Sequence, residues 1–305
     1  MINISAVPTG AWRGYSRGAL SISLPPLLET LLDGRYRLKS VLGEGGMGRV
    51  YDGEDLRLGR RVAVKVMLDD NSGDESLGER FFREAKAAAR ADHPAVVTTF
   101  GCGTDLELGI SYVVMERLQG ETVEARIRRI GPLPLALIVR IALETADALA
   151  AVHAADVIHR DLKPTNLFLA TRGRRVDQLK LLDFGVAKQL DLPSLTTTGQ
   201  VYGTPMYMAP EQLQDSKRVD ARCDLYSLGA VLLECATGKP PFRATQEVAL
   251  IAEIVFGESP KLRGVRADLN GPLAEVIERC LAKRASDRYP SALAVIEALA
   301  PLAQP

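Results

Sequence analysis

From Tyr36 to about Leu118 apolar residues alternate with polar ones, and beyond Gly120 they recur every three or four residues. This change of period divides the chain into a β-rich part and a helical part. YRLKSVL, GRVYDGED and RRVAVKVML read as antiparallel strands separated by glycine-containing turns, and AVVTTFGC and SYVVMERL as two more. Between them, Glu79 to Arg90 (ERFFREAKAAAR) sets Phe81, Phe82, Ala85, Ala88 and Ala89 at helical spacing with charges opposite, which predicts one amphipathic helix. Past Gly120, the spacing of Leu137, Ile138, Ile141, Thr145, Ala148, Leu149 and Val152 predicts a long helix, and LYSLGAVLLECAT, Leu273 to Ala282 and Ser291 to Leu299 predict further ones. The expected architecture is α+β and bilobal: a small β-rich N-lobe with one helix, a larger mostly helical C-lobe, and between them a cleft of the kind that binds ligands.

Charge excludes some partners. Lys+Arg and Asp+Glu stand at 38 each, so long-range attraction to nucleic acid or to an anionic membrane has no support. Cys102, Cys223, Cys235 and Cys280 show no CxxC spacing, which argues against a zinc site or a disulfide scaffold and for reduced, mostly buried thiols in a cytoplasmic protein. Residues 1–33 lack periodicity and read as a loosely ordered extension; Pro25-Pro26 and Glu29 interrupt its apolar stretch, unlike a secretion signal. LYSLGAVLLECAT is short of the roughly 20 residues that span a bilayer and reads as a buried core helix. The main domain is expected over 34–300, divided into lobes near 118/119, with a tail at 301–305.

Four short stretches carry chemistry. Gly43-Glu44-Gly45-Gly46-Met47-Gly48-Arg49-Val50 joins the first strand pair in a GxGxxGxV pattern, whose missing Cβ atoms let backbone N–H groups close over phosphate oxygens. Its place between two strands argues against a Rossmann or Walker loop. In VAVKV, Lys65 alternates with apolar residues and needs a carboxylate to hold it in a cleft; Glu84 on the following helix is available. HRDLKPTN packs His159, Arg160, Asp161, Lys163 and Asn166 into one loop between the apolar runs Val157-Ile158 and Leu167-Phe168-Leu169. Leu182-Asp183-Phe184-Gly185 follows.

The order and spacing of these stretches resemble the eukaryotic-like protein kinase family over about Tyr36 to Leu299, and GEGGMGRVY and GTPMYMAPEQ look most like its bacterial serine/threonine members. The resemblance implies an ATP-dependent transfer to Ser or Thr hydroxyls of proteins. It implies that Lys65, tethered by Glu84, holds the α and β phosphates, that Asp183 and Asn166 bind Mg²⁺ (or Mn²⁺), that Asp161 accepts or orients the proton of the attacking hydroxyl, and that Lys163 neutralises charge on the transferring group. His159 and Phe184 are expected to pack and hydrogen-bond. The adenine site would comprise Leu42, Gly43, Gly45, Gly48, Val50, Ala63, Met115 as gatekeeper, the backbone of Glu116 and Leu118, and Phe168, with Glu121 reaching the ribose.

The same resemblance puts Thr196, Thr197 and Thr198 in an activation segment as sites of autophosphorylation, with Arg160 facing the modified residue. Thr204, in the GTP of the peptide-docking segment, would link Lys163 to Asp161, as in kinases that act on serine and threonine. It matches Glu211 and Arg288 to a buried ion pair and Asp224 to a cap on the catalytic loop. The expected partners are protein substrates and a second copy for autophosphorylation, with no nucleic acid and no membrane span. The alternative is a pseudokinase, a scaffold or regulatory nucleotide-binding module; it is opposed by the presence of Lys65, Asp161, Asn166 and Asp183 together.

Overall fold

The computed structural model describes residues 27–45, 48–67, 82, 86, 89–173, 175–184, 205–215, 219–244, 246–262, 266–269 and 271–302. Strands β1 (Leu31–Leu32), β2 (Tyr36–Gly45), β3 (Gly48–Asp55), β4 (Arg60–Met67), β5 (Thr99–Asp105) and β6 (Ile110–Glu116) form one antiparallel sheet in the order β1-β2-β3-β4-β6-β5. Its register explains the alternation in the sequence. Tyr51, Val62, Val64, Val66, Tyr112 and Val114 point to one face and close a core with Leu32, Tyr36 and Leu38. The partners in register on the opposite face include Val50 with Lys65, Lys65 with Val113, and Ala63 with Met115. That second face looks into the cleft.

Leu31–Leu32, counted with the extension from sequence, belongs to the sheet: Leu32 is fully buried, and the Leu27 N–H donates to the Tyr51 hydroxyl at 3.1 Å. A two-residue strand is too short for periodicity to reveal. The predicted helix over Glu79 to Arg90 falls mostly outside the described residues, although Phe82, Lys86, Ala89 and Arg90 are helical and Phe82 packs with Met67, Val113 and Met115.

The second lobe holds a small antiparallel sheet, β7 (Gly120–Thr122), β8 (Leu167–Arg172) and β9 (Arg175–Leu181), and the helices α1 (Val123–Ile130), α2 (Leu135–Ala154), α3 (Pro210–Gln214), α4 (Arg222–Thr237), α5 (Glu247–Phe256), α6 (Pro272–Cys280) and α7 (Ala292–Leu299). Gly120 sits at φ +139°, and a Cβ there would meet the Leu169 carbonyl oxygen at 2.0 Å, so only glycine lets β7 close on β8. Leu167-Phe168-Leu169 lies in a strand, whereas Val157-Ile158 forms none, and the Val157 N–H bonds back to the Val152 carbonyl at 3.1 Å. α1 starts at an N-cap, Thr122, whose hydroxyl accepts from Ala125 N–H at 3.1 Å, and it ends at Gly131 in the left-handed region, φ 75°. α4, the LYSLGAVLLECAT helix, is buried on every side and packs against α2 and α6. Among the described residues no helix is long and apolar enough to cross a membrane. Cys223, Cys235 and Cys280 are buried and Cys102 is exposed.

The fully buried Arg288 side chain binds Glu211 through two N–H···O bonds of 2.6 and 2.7 Å, donates to the carbonyls of Ala282, Arg222 and Lys283, and lies over the Tyr226 ring. Removing only the acid leaves a guanidinium buried without its counter-charge. Glu211→Ala is therefore expected to lower the unfolding free energy by about 3 kcal/mol, read from the shift in urea midpoint.

Candidate active site

The loop that carries the densest polar cluster is held by one carboxylate. Asp224, fully buried on α4, accepts from the backbone N–H groups of His159 and Arg160 at 2.8 Å each and pairs with His153 Nε2 at 2.8 Å. Burial alone would raise its pKa, but the His153 hydrogen bond, the two histidines and the Arg160 N–H together hold it below the ordinary carboxylate value. Arg160 consequently sits at φ 63°, an uncommon backbone for a side chain of its size.

His159 is fully buried, and both ring nitrogens are engaged. Nδ1 accepts from the Asp161 N–H at 3.3 Å and Nε2 lies 2.9 Å from the Leu182 carbonyl, so the ring is neutral with its proton on Nε2. Burial pushes its pKa down. The Asn166 carbonyl in turn accepts from the Leu182 N–H at 2.8 Å, and Phe184 packs on the His159 ring with centroids 4.9 Å apart. His159 and Phe184 are thus structural, and they fix the Asp161 loop relative to Asp183.

Within that frame the Asp161 carboxylate, mostly buried, receives Lys163 Nζ at 2.9 Å and Asn166 Nδ2 at 3.2 Å on one oxygen; Asn166 Nδ2 also donates to the Asp161 carbonyl at 2.8 Å. Lys65, on β4 of the other lobe, reaches Asp183 with Nζ to Oδ1 at 2.9 Å. The five residues singled out from three separate stretches therefore meet at one place between the lobes. Glu84 lies outside the described residues, as do Thr196, Thr197, Thr198 and Thr204.

The residues expected around adenine line the second face of the large sheet and the strand β8. Val50, Ala63 and Met115 share that face with Lys65; Leu42 and Gly43 are exposed on β2 above it; half-buried Phe168 lies on the side of β8 opposite Leu167 and Leu169. Gly45 pairs with Gly48 at the hairpin end. Gly48 has a structural requirement as well: a Cβ would meet the Val66 carbonyl oxygen at 2.3 Å, so β3 can pair this closely with β4 there only without a side chain. Between the lobes, the Leu118 N–H has no partner among the described residues, while its carbonyl accepts from the Arg117 guanidinium. Glu121, expected toward ribose, is held instead by Arg129 and Arg126, and these pairings lower its pKa to about 2.

Two positioning residues escaped the sequence reading. Lys180 on β9 bonds the Glu116 carboxylate and the Val96 carbonyl, and Gln212 donates to the Arg160 carbonyl at 3.1 Å while accepting from the Ala209 N–H at 2.9 Å. Lys180 stands in no pattern that marks it, and Gln212, although it closes the GTPMYMAPEQ stretch and is buried, has no role that its neighbours in sequence reveal; the pairing across distant segments gives each its place.

Two lobes clasping a lysine, two aspartates, an asparagine and a glycine hairpin define a phosphoryl-transfer fold. The chain belongs to the protein kinase domain family, whose pattern it matches over residues 36–298, on the bacterial serine/threonine side. It is 38% identical over 264 residues to serine/threonine-protein kinase pkn3 of Myxococcus xanthus, covering 85% of this chain and 48% of that protein. It is 37% identical over 271 residues to PknA of Mycobacterium tuberculosis, covering 88% and 61%. The chain thus spans about half to three-fifths of the length of these relatives. The solved kinase domain of Mycobacterium tuberculosis PknI, as its C20A_R136A double mutant, superposes with a TM-score of 0.72 at 25% identity, covering 92% of this chain and all of that one. The family uses ATP and a divalent metal.

The residues here fit such a metal. Asn166 spends its amide nitrogen on Asp161, which leaves the amide oxygen as its donor end, and the Asp183 carboxylate is a second hard oxygen ligand. Acid should loosen the frame around them. The unfolded chain binds a proton on a histidine near pH 6.5, whereas the buried His159 ring refuses it, so its contribution to stability falls as pH drops below about 6.5. Unfolding free energies from urea titrations taken from pH 7.5 downward should decline with a slope approaching about 1.4 kcal/mol per pH unit for that one proton, and His159→Gln should flatten the decline below about pH 6.5.

Proposed function

We propose that this chain is an active ATP-dependent protein serine/threonine kinase, using Mg²⁺, with Mn²⁺ as a substitute, within a domain spanning about residues 34–300. The observation that carries the reading is that Lys65 from the N-lobe meets Asp183 of the C-lobe, while Asp161, Lys163 and Asn166 pair with one another on the loop tied to Leu182 beside Asp183. A pseudokinase would be expected to have lost one of these groups.

In the reaction, a substrate hydroxyl oxygen forms its bond to the γ-phosphorus as the bond to the β–γ bridging oxygen breaks and ADP departs. Asp161 takes the hydroxyl proton on its carboxylate. The Lys163 ammonium, 2.9 Å from that carboxylate, lies close enough to balance charge spreading over the transferring oxygens. Lys65 anchors the α and β phosphates from the N-lobe, and Leu42, Val50, Ala63, Met115 and Phe168 enclose the adenine, with the Leu118 N–H donating to its edge. Asp183 and Asn166 hold the cation, which when bound neutralises phosphate charge. A loose transition state asks little covalent chemistry of the protein, so holding these groups in register is the greater part of catalysis.

Arg160 motivates the regulatory part of the proposal. Its backbone is fixed by Asp224 and Gln212, and its guanidinium has no acidic partner among the described residues. A phosphate on Thr196, Thr197 or Thr198 would supply one, and a second copy of the chain would place it there. We further propose a cytoplasmic location, protein substrates bearing Ser or Thr, and the Thr204 hydroxyl as a link between Lys163 and Asp161.

Incubation with ATP and Mg²⁺, followed by phosphoamino-acid analysis and site mapping, tests the function directly; absence of transfer, or predominant phosphotyrosine, would sink it. Asp161→Asn should reduce kcat by about 10²- to 10⁴-fold with the thermal melt unchanged. Lys65→Met and Asp183→Asn should do at least as much and also weaken nucleotide binding, read by fluorescent-nucleotide titration. The Thr196/Thr197/Thr198 triple alanine variant should be slowed about tenfold or more toward a protein substrate, the worth of one or two charge-assisted hydrogen bonds to Arg160.

A further inference from the structure

On the helical lobe, the C-terminal half of α1, the start of α2 and strand β9 enclose an open groove of about 560 Å³. None of its lining residues belongs to the phosphate cluster. Ile130, Pro134 and Leu137 form an aliphatic wall, with Ile130 46% exposed, while Arg126, Arg140 and Asp177 form the polar floor.

The two guanidiniums are unequal. Arg126 is largely buried between two acids: it donates to Asp177 at 2.7 Å and pairs with Glu121, which also receives Arg129 at 2.6 Å. Among the described residues Arg140 makes a single polar contact, to Asp177 Oδ2 at 3.3 Å, and its side chain is 42% exposed. Both Asp177 oxygens already serve Arg126, so the Arg140 fork, with five N–H donors, lacks a carboxylate of its own. α1 adds Arg128 and Arg129, paired with Glu124 and Glu121, so the described acids and arginines around the groove leave one positive charge in excess, in a chain whose net charge is zero. Among the described residues no aromatic side chain lines the groove, so they offer no platform for nucleic-acid bases. An apolar wall beside an under-used guanidinium suits an extended peptide that carries a carboxylate next to aliphatic side chains.

We propose that this groove is a docking site for an acidic, leucine-bearing segment of a partner protein, with a carboxylate on Arg140 and an aliphatic side chain against Ile130, Pro134 and Leu137. It is separate from phosphoryl transfer, and its test requires no turnover. A short fluorescein-labelled peptide with a Glu-Asp-Glu run followed by paired leucines is titrated against the full chain by fluorescence anisotropy. Saturable binding is expected, weakened about tenfold by Arg140→Glu and by Ile130→Asp, less by Arg140→Gln, and lost when the acids of the peptide are replaced by lysine. Both sites are partly exposed, and a circular-dichroism melt shows that each variant is folded; Arg140→Gln serves if Arg140→Glu is not. The proposal is overturned by absence of binding, by equal affinity in the variants, or by equal binding of leucine-free polyglutamate or single-stranded DNA, which would make the surface a general polyanion patch.

Discussion

Everything at the site depends on a carboxylate that never meets substrate. Asp224 is fully buried in the first turn of α4, where an unpaired charge would be severely unfavourable, and it stays ionised because His153 and two backbone N–H groups surround it. The same bonds impose the left-handed turn at Arg160 that carries the chain from the buried His159 to Asp161. Among the described helices of its lobe α4 is the most thoroughly buried, so the Asp161 loop is fastened to a densely packed element.

From that anchor the order propagates in short steps. His159 and Asn166 grip the two sides of Leu182, and Leu182 delivers Asp183 to Lys65. The lobes are tied by the Val97 and Leu181 backbone bonds and by Lys180 on Glu116, so Lys65 enters from a sheet that is itself fastened to β9. Precision of this kind, built on backbone bonds to rigid elements, suits a reaction governed by positioning.

Much of this was legible in the sequence because the periods are clean. Alternation in RRVAVKVML foretold a strand with two different faces, and the three- and four-residue spacing of Leu137 to Val152 foretold α2. The cluster at HRDLKPTN was visible because polar residues are dense between apolar runs. What remained hidden was of another kind. α5 is apolar on almost every side and so lacks the contrast that separates a helix from a loop, while α1, though two-faced with Val123 and Ile127 buried, is only eight residues long, too short for its period to repeat. Glu121 could be placed near ribose by resemblance, but only three-dimensional neighbours reveal that two arginines hold it. The requirement for glycine at Gly48 likewise has a cause that the loop pattern conceals, the close approach of the Val66 carbonyl on the paired strand β4.

The short strand β1 has a bearing on where the folded unit begins. A chain started at Tyr36, where the family match starts, would keep every residue of the phosphate cluster yet lose Leu32, which fills a fully buried position between Tyr36, Leu38 and the neighbouring strands. It would also strip the outer edge of β2, exposing a row of backbone donors and acceptors beside an opened apolar core. Such an edge pairs readily with another copy of itself. The two leucines ahead of the recognisable domain thus act as its selvage, keeping the sheet from unravelling into its neighbours.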